Sequence, residues 1–424
     1  MNNAAFRIFV FTCLLFTVYL VFSTHKEPGK VIWSDGEGYY VYLPSVFIFH
    51  DFVKDAVRDT GYIKAFQDTG KIFSKYTCGV AILEMPFFLA SHWYTKLFGL
   101  LPTGKTDIYG RGLCWSAAFY LWAGMIFLYY YIKKYYSSYI TMLAIAGILC
   151  GTNLYFYTFL APSMSHIYSF FLFSVFLWKS DFMFRQKLQI KGSEALTWAL
   201  FGLLLGMIVL IRPTNIIIFL LPLYQIQRTE NNFISYVKEK MRYIMLAALC
   251  FFIPWIPQFM YWKYISGNWI IWSYSDEGFH FWMEPKLLRV LFDPWNGWIL
   301  YSPMVVLPLV YLWWNRNRNQ HHERIYLYIF LLATYIFSSW WAWWFGGAFG
   351  HRSYVEFLAF LVLPLAGLIH VSWRKKWAGI ALTSLIILLC YYNLGLTYAY
   401  RPPWDGAGWT YESWWSVVRN LFIF

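Results

Sequence analysis

Two carboxylates one residue apart, Asp35 and Glu37 in SDGEGYY (residues 34–40), are the first place in this chain where chemistry suggests itself. Gly36 and Gly38 allow an irregular backbone, which would let both acids approach a substrate or a cation closely. A carboxylate at a water–lipid boundary can take the proton of an attacking hydroxyl. Two carboxylate oxygens can also hold a hard divalent ion against a phosphate. The plain alternative is an interfacial turn, because Asp and Gly are common turn formers. Further polar residues stand out against apolar surroundings: His166 in APSMSH, Arg212 in LIRPTN, Asp276, Glu277 and His280 in SYSDEGFH, Asn296 in FDPWNGWILYSP, and His351 with Arg352 in FGGAFGHRSY. Singly, each has a structural explanation, such as a helix-start histidine, a snorkelling arginine or a headgroup contact. Jointly they pair acids suited to deprotonation with arginines whose planar donor fork suits phosphate.

The elements that must position these residues cross a membrane. The chain is 59% hydrophobic and 13% charged, and several apolar runs approach the ~20 residues a spanning helix needs. Candidate spans are 6–23, 112–132, 139–157, 163–179, 197–211, 214–226, 243–262, 298–314, 325–341, 356–371 and 377–394. The expected fold is therefore an all-α integral membrane protein of about eleven helices, one polytopic domain over 1–424. A long first loop (24–111) and a short tail (395–424) would lie outside the cytoplasm.

Basic residues set the orientation. Arg7, Lys133, Lys134, Arg185, Lys187, Lys191, Arg228, Lys238, Lys240, Arg242, Arg316, Arg318, Arg324, Arg374, Lys375 and Lys376 fall in alternate connections, which the positive-inside rule makes cytoplasmic. The +13 formal charge is thus a topology signal, and no nucleic acid partner is expected. His321 and His322 then lie on the cytoplasmic side, solvated. Residues 80–100 are apolar enough to span, but Glu84, His92 and Lys96 would cost a lipid-facing helix dearly. That segment is expected to lie in the outer interface. A single helix over 197–226 would be about 45 Å long, too long for a ~30 Å hydrocarbon core. Arg212 and Pro213 break it at the outer side. Phe6–Ser23 reads as a retained first helix. The six cysteines share no paired spacing and suggest neither disulfides nor a zinc site. No Walker loop, dinucleotide fingerprint, HExxH or GxSxG motif is present.

The sequence resembles the polytopic GT-C glycosyltransferases, the group that includes protein O-mannosyltransferases and aminoarabinose transferases. The resemblance is carried, in order, by SDGEGYYVYLPS, KYTCGVAILEMPFFLASHWYTKLFG, GLLLGMIVLIRPTNIIIFLLPL, FDPWNGWILYSP and WWFGGAFGHRSYVEFLAFLVLPLAG. It implies an inverting enzyme of the bacterial inner (plasma) membrane, with its site facing outward. Such an enzyme takes sugar from a polyprenyl-phosphate donor and passes it to a glycan, lipid or protein hydroxyl. Asp35, with Glu37 as partner, would be the catalytic base. Arg352, Arg212 and His351 would hold the donor phosphate. Tyr39, Tyr40, His166, Asp276, Glu277 and Asn296 would contact substrate. Metal dependence varies within the group, so a divalent ion at Asp35 and Glu37 stays open. Trp343 and Trp344 could stack on sugars, although an interfacial belt suits them better. A lipid-linked glycan flippase is the rival reading, but it should show repeat symmetry and midplane charges. A ligase for whole glycans is the other, and it would not need an acid directly after the first helix.

Overall fold

The structure is a computed structural model. It describes residues 3–422 apart from 53–62, 67–68, 186–193, 231, 316–323, 402–403, 405 and 407, and residues 3–12 as backbone alone. Lys187, Lys191, Arg316, Arg318, His321 and His322 therefore lie outside the described residues, as do the side chains of Arg7 and Arg185.

The chain is mainly helical. Among the described residues, five helices are long and apolar enough to cross a membrane: Asp107–Ile132, His166–Phe184, Glu194–Ile211, Phe233–Ser266 and Lys376–Ala399. Five shorter apolar helices accompany them: Cys13–Ser23, Ser138–Gly151, Pro303–Trp314, Arg324–Ser338 and Leu358–Ser372. Helices satisfy their own backbone groups, which hydrocarbon would leave unbonded. Ten of the eleven expected spans overlap one of these helices, and five of those ten fall on a helix long and apolar enough to cross. The remaining one, 214–226, divides into a 3-10 segment, Pro213–Phe219, and a helix, Leu220–Thr229. The break before it lies where the sequence sets it: Arg212 is extended between the two helices (φ −148°, ψ 114°).

Two packing features fix the frame. Helix Leu358–Ser372 is apolar all round and buried from Leu358 to Gly367, as expected of a helix at the centre of a bundle, with only its last turn, His370 and Val371, exposed. Glu194–Ile211 approaches its neighbour closely through GLLLG. A Cβ on Gly202 or Gly206 would fall 2.1 Å from the carbonyl oxygen of Ala247 or Phe251. Small residues at four-residue spacing let two backbones meet in this way.

The first loop is not wholly helical. It carries short helices, Asp35–Tyr40 and Tyr42–Pro44, and a two-stranded antiparallel hairpin in which Ile63–Ala65 pairs with Ile72–Ser74. Helix Gly79–Leu97 follows and is not among the helices apolar enough to span. Its polar residues Glu84 and His92 are buried within the protein, while Trp93, Leu97 and Phe98 are exposed. This inverts the expected amphipathic arrangement. The charge cost argued against lipid exposure does not apply to Glu84 or His92, because neither faces lipid. The next helix starts at Asp107, five residues before the expected 112. The tail also has structure: helix Tyr411–Leu421 packs on Lys376–Ala399, and Tyr391 donates its hydroxyl to Leu421 O.

Helix direction alternates, so the polar landmarks separate by end. Lys134 pairs with Asp181 at 3.1 Å, joining the C-terminal ends of the helices that begin at Asp107 and His166. His166 begins the helix whose other end carries Asp181, and Arg212, which follows the C-terminus of Glu194–Ile211, meets His166 there.

Candidate functional site

Asp35 opens its short helix after Ser34, whose φ of 54° and ψ of −136° lie in a region that side chains rarely adopt. Gly36 then lets the helix press against Ser163. A Cβ there would sit 2.2 Å from Ser163 Oγ, which itself donates to Val31 O at 2.6 Å. Held in this way, Asp35 Oδ2 meets Arg352 Nη1 at 2.8 Å, with both side chains largely buried (9% and 14% exposed). Burial works against the Arg352 charge, but Asp35 and the phenols of Tyr76, Tyr157 and Tyr39 outweigh it and leave its pKa raised.

A second ion pair lies alongside. Arg212 Nη1 donates to Glu356 Oε1 at 3.0 Å, and Nη2 donates to Ser353 Oγ at 3.2 Å. His166 Nδ1 lies 3.2 Å from both Arg212 Nη1 and Glu356 Oε2. That nitrogen serves one of them only: unprotonated it accepts from Arg212, protonated it donates to Glu356. Arg352, Ser353 and Glu356 come from one turn, HRSYVE, which runs directly into the buried Leu358–Ser372 helix. Arg352 is thus placed just before that helix, and Arg212 sits at the break directly after helix Glu194–Ile211.

Helical geometry sorts the SDGEGYY residues. Tyr39 stands four places from Asp35, on the same face, and packs on Tyr76 with ring centroids 4.3 Å apart. Burial and the nearby Asp35 charge push its phenol up to about 12, so it remains protonated and can donate. Glu37 stands two places from Asp35, roughly 200° round the helix. It pairs instead with Lys105 Nζ at 3.0 Å. Tyr40 donates to Gly104 O at 2.6 Å. Glu37 and Tyr40 therefore hold the 104–105 segment of their own chain, and the expected partnership of Glu37 with Asp35 is not formed.

The Asp35–Glu37 pair does not fit a metal. The two carboxylates diverge, and Asp35 is taken by a guanidinium. Among the described residues no group of three or more His, Cys, Asp or Glu could hold an ion. All six cysteines are free.

Other expected residues are placed elsewhere. His351 donates from Nε2 to Trp343 O at 2.9 Å, and its ring packs among Phe337, Phe345 and Tyr354. Burial and the nearby arginines lower its pKa to about 3. It is a neutral, fully buried residue whose N–H is already used, so it is not a phosphate-binding cation. Asn296 is buried in a turn (φ 65°) and donates to Trp344 O at 2.9 Å, apart from the ion pairs. Trp343 is not a belt residue: it is buried and stacks on Trp295 at 6.1 Å. Asp276 and Glu277 line a separate cavity of about 360 Å³ together with Lys64, Tyr274 and Trp341. There Glu277 pairs with Lys75 Nζ at 2.7 Å.

Three participants were not singled out in the sequence: Glu356, Ser353 and Tyr76. A signal for Glu356 does exist, since it follows Arg352 by four residues at the mouth of an apolar helix.

The fold and site define a helical membrane protein with two buried arginine–carboxylate pairs at one end of its bundle. No family model matches the chain, and no curated protein or solved structure matches it.

Proposed function

We propose that this chain is a membrane glycosyltransferase of the GT-C kind. It would move a sugar from a polyprenyl-phosphate donor to an acceptor hydroxyl at the extracytoplasmic face of a bacterial plasma membrane. The observation that carries this reading is the Asp35–Arg352 pair, 2.8 Å apart, with Arg212 close by. A carboxylate and two guanidiniums, largely buried at a helix end, suit a reaction that needs a base and a place for a leaving phosphate.

In this reading the donor phosphate competes for Arg352. As the guanidinium turns to phosphate oxygens, Asp35 is released with its charge intact. The freed carboxylate accepts the acceptor's hydroxyl proton while that oxygen bonds to the anomeric carbon. The bond from that carbon to the phosphate oxygen breaks, and polyprenyl phosphate leaves with the electron pair. Arg352 and Arg212 stabilise its charge, and the protonated Tyr39 phenol offers a further donor. One displacement inverts the anomeric centre.

The test uses protein in detergent with a panel of polyprenyl-phosphate sugars, read as thermal stabilisation. A donor should raise the melting temperature of the wild type and of Asp35→Asn, and should lose its effect in Arg352→Ala. A folded protein that no donor stabilises would refute the reading.

A further inference from the structure

We infer that the 360 Å³ cavity lined by Tyr274, Asp276 and Glu277 is an acceptor subsite for a neutral carbohydrate, entered from water and not from the bilayer. This rests on the transferase reading above.

The cavity lies between the hairpin and the 267–285 segment. The hairpin supplies Lys64 and Phe73, and the 267–285 segment supplies Tyr274, Asp276 and Glu277. The hairpin is clamped in place: Ser74 N donates to Tyr261 Oη, and that hydroxyl donates to Ile72 O, each at 2.9 Å. Ser273 Oγ donates to Lys75 O at 2.7 Å and ties the other wall to it.

Its chemistry matches a sugar. Phe73, Tyr274 and Trp341 give aromatic walls for the apolar faces of a pyranose. Carboxylates, ammonium groups, hydroxyls and His280 supply donors and acceptors for ring hydroxyls. Two lysines and two carboxylates line it, with Lys75 and Glu277 paired, so the lining has no net charge with which to select an anion. Lys64, Asp276 and His280 are exposed, so the mouth is wet.

Its position links it to the base. Tyr274 forms part of the wall and packs edge-on against Tyr76, with centroids 6.3 Å apart. Tyr76 packs on Tyr39, which shares its helix face with Asp35. Tyr274, Tyr76 and Tyr39 thus form a continuous row of phenols from the cavity wall to the helix face that carries Asp35.

The experiment is saturation-transfer NMR on the full chain in lipid nanodiscs. The probes are neutral hexose and N-acetylhexosamine disaccharides, a uronic-acid disaccharide and a serine peptide. Neutral disaccharides should receive saturation, and the signal should fall at least five-fold in Trp341→Ala and in Asp276→Asn. Both positions are exposed, and each variant's unchanged melting temperature is the folding control. No neutral saccharide signal, or one that survives both substitutions, overturns the subsite. So does preferential binding of the acidic sugar or the peptide. Donor stabilisation without saccharide binding removes the subsite and keeps the transferase reading. Saccharide binding without donor stabilisation removes that reading and, with it, the acceptor role.

Discussion

Breaking the Asp35–Arg352 pair from one side should cost far more than removing it from both. At 2.8 Å, with an effective dielectric constant of about 20, the gross attraction is about 6 kcal/mol. Much of that offsets the loss of hydration, since both side chains are largely buried. Arg352→Gln leaves a carboxylate facing phenols, and Asp35→Asn leaves a guanidinium in the same place. Either change should lose roughly 3–5 kcal/mol, as is usual when one member of a buried pair is stranded. The double variant strands neither charge and should recover part of that loss, giving a coupling energy of about 2–3 kcal/mol. The assay is reversible unfolding in mixed micelles, followed by helical circular dichroism, for the wild type, both single variants and the double variant. Losses that add within about 0.5 kcal/mol would show that the two groups do not interact, and the site as drawn would be wrong.

Other consequences follow from the same geometry. Glu37→Gln removes only a half-exposed pair with Lys105 and should change stability by less than about 1 kcal/mol, with donor stabilisation unchanged in the thermal assay. Glu356→Ala should lose roughly 3–5 kcal/mol by stranding Arg212, and Glu356→Gln measurably less, compared by unfolding in the same micelles. Gly36→Ala drives a methyl into Ser163 and should cost about 1–3 kcal/mol while weakening donor stabilisation, because it displaces Asp35. His351 has its pKa lowered from 6.5 to about 3 on folding, so below pH 6.5 the unfolded chain binds a proton that the folded chain does not. Stability should therefore fall as pH drops, by roughly 2–3 kcal/mol from this residue between pH 7 and 4.5, and His351→Phe should flatten the pH dependence of melting.

The convergence of Asp35, His166, Arg212 and Arg352 was legible because helix ends and positive-inside charges constrain which residues share a side. The break at Arg212–Pro213 was legible because proline chemistry is local. What sequence could not supply was register. The glycines of SDGEGYY suggested an irregular backbone, but a helical turn formed, and a two-residue spacing then sent Glu37 away from Asp35. The same turn brought in Tyr39 and excluded Tyr40. Glu356 was hidden by the apolar run it introduces, although its four-residue spacing from Arg352 makes the two neighbours once the turn winds. The resemblance set His351 with the arginines as a phosphate-binding residue, and only packing shows its ring turned into Phe337 and Phe345. The hairpin has three-residue strands, too short for alternation to register. Helix Gly79–Leu97 reads as amphipathic, but sequence does not say which face turns inward.

The most direct test of the proposed chemistry is transfer of radiolabelled sugar from polyprenyl phosphate, measured with purified protein and a neutral disaccharide acceptor. Wild type should release polyprenyl phosphate and label the acceptor with inverted anomeric configuration. Asp35→Asn should bind donor but turn over at least a hundred-fold more slowly, and Glu37→Gln should stay near wild type. Transfer that survives Asp35→Asn, or product with retained configuration, would contradict the account.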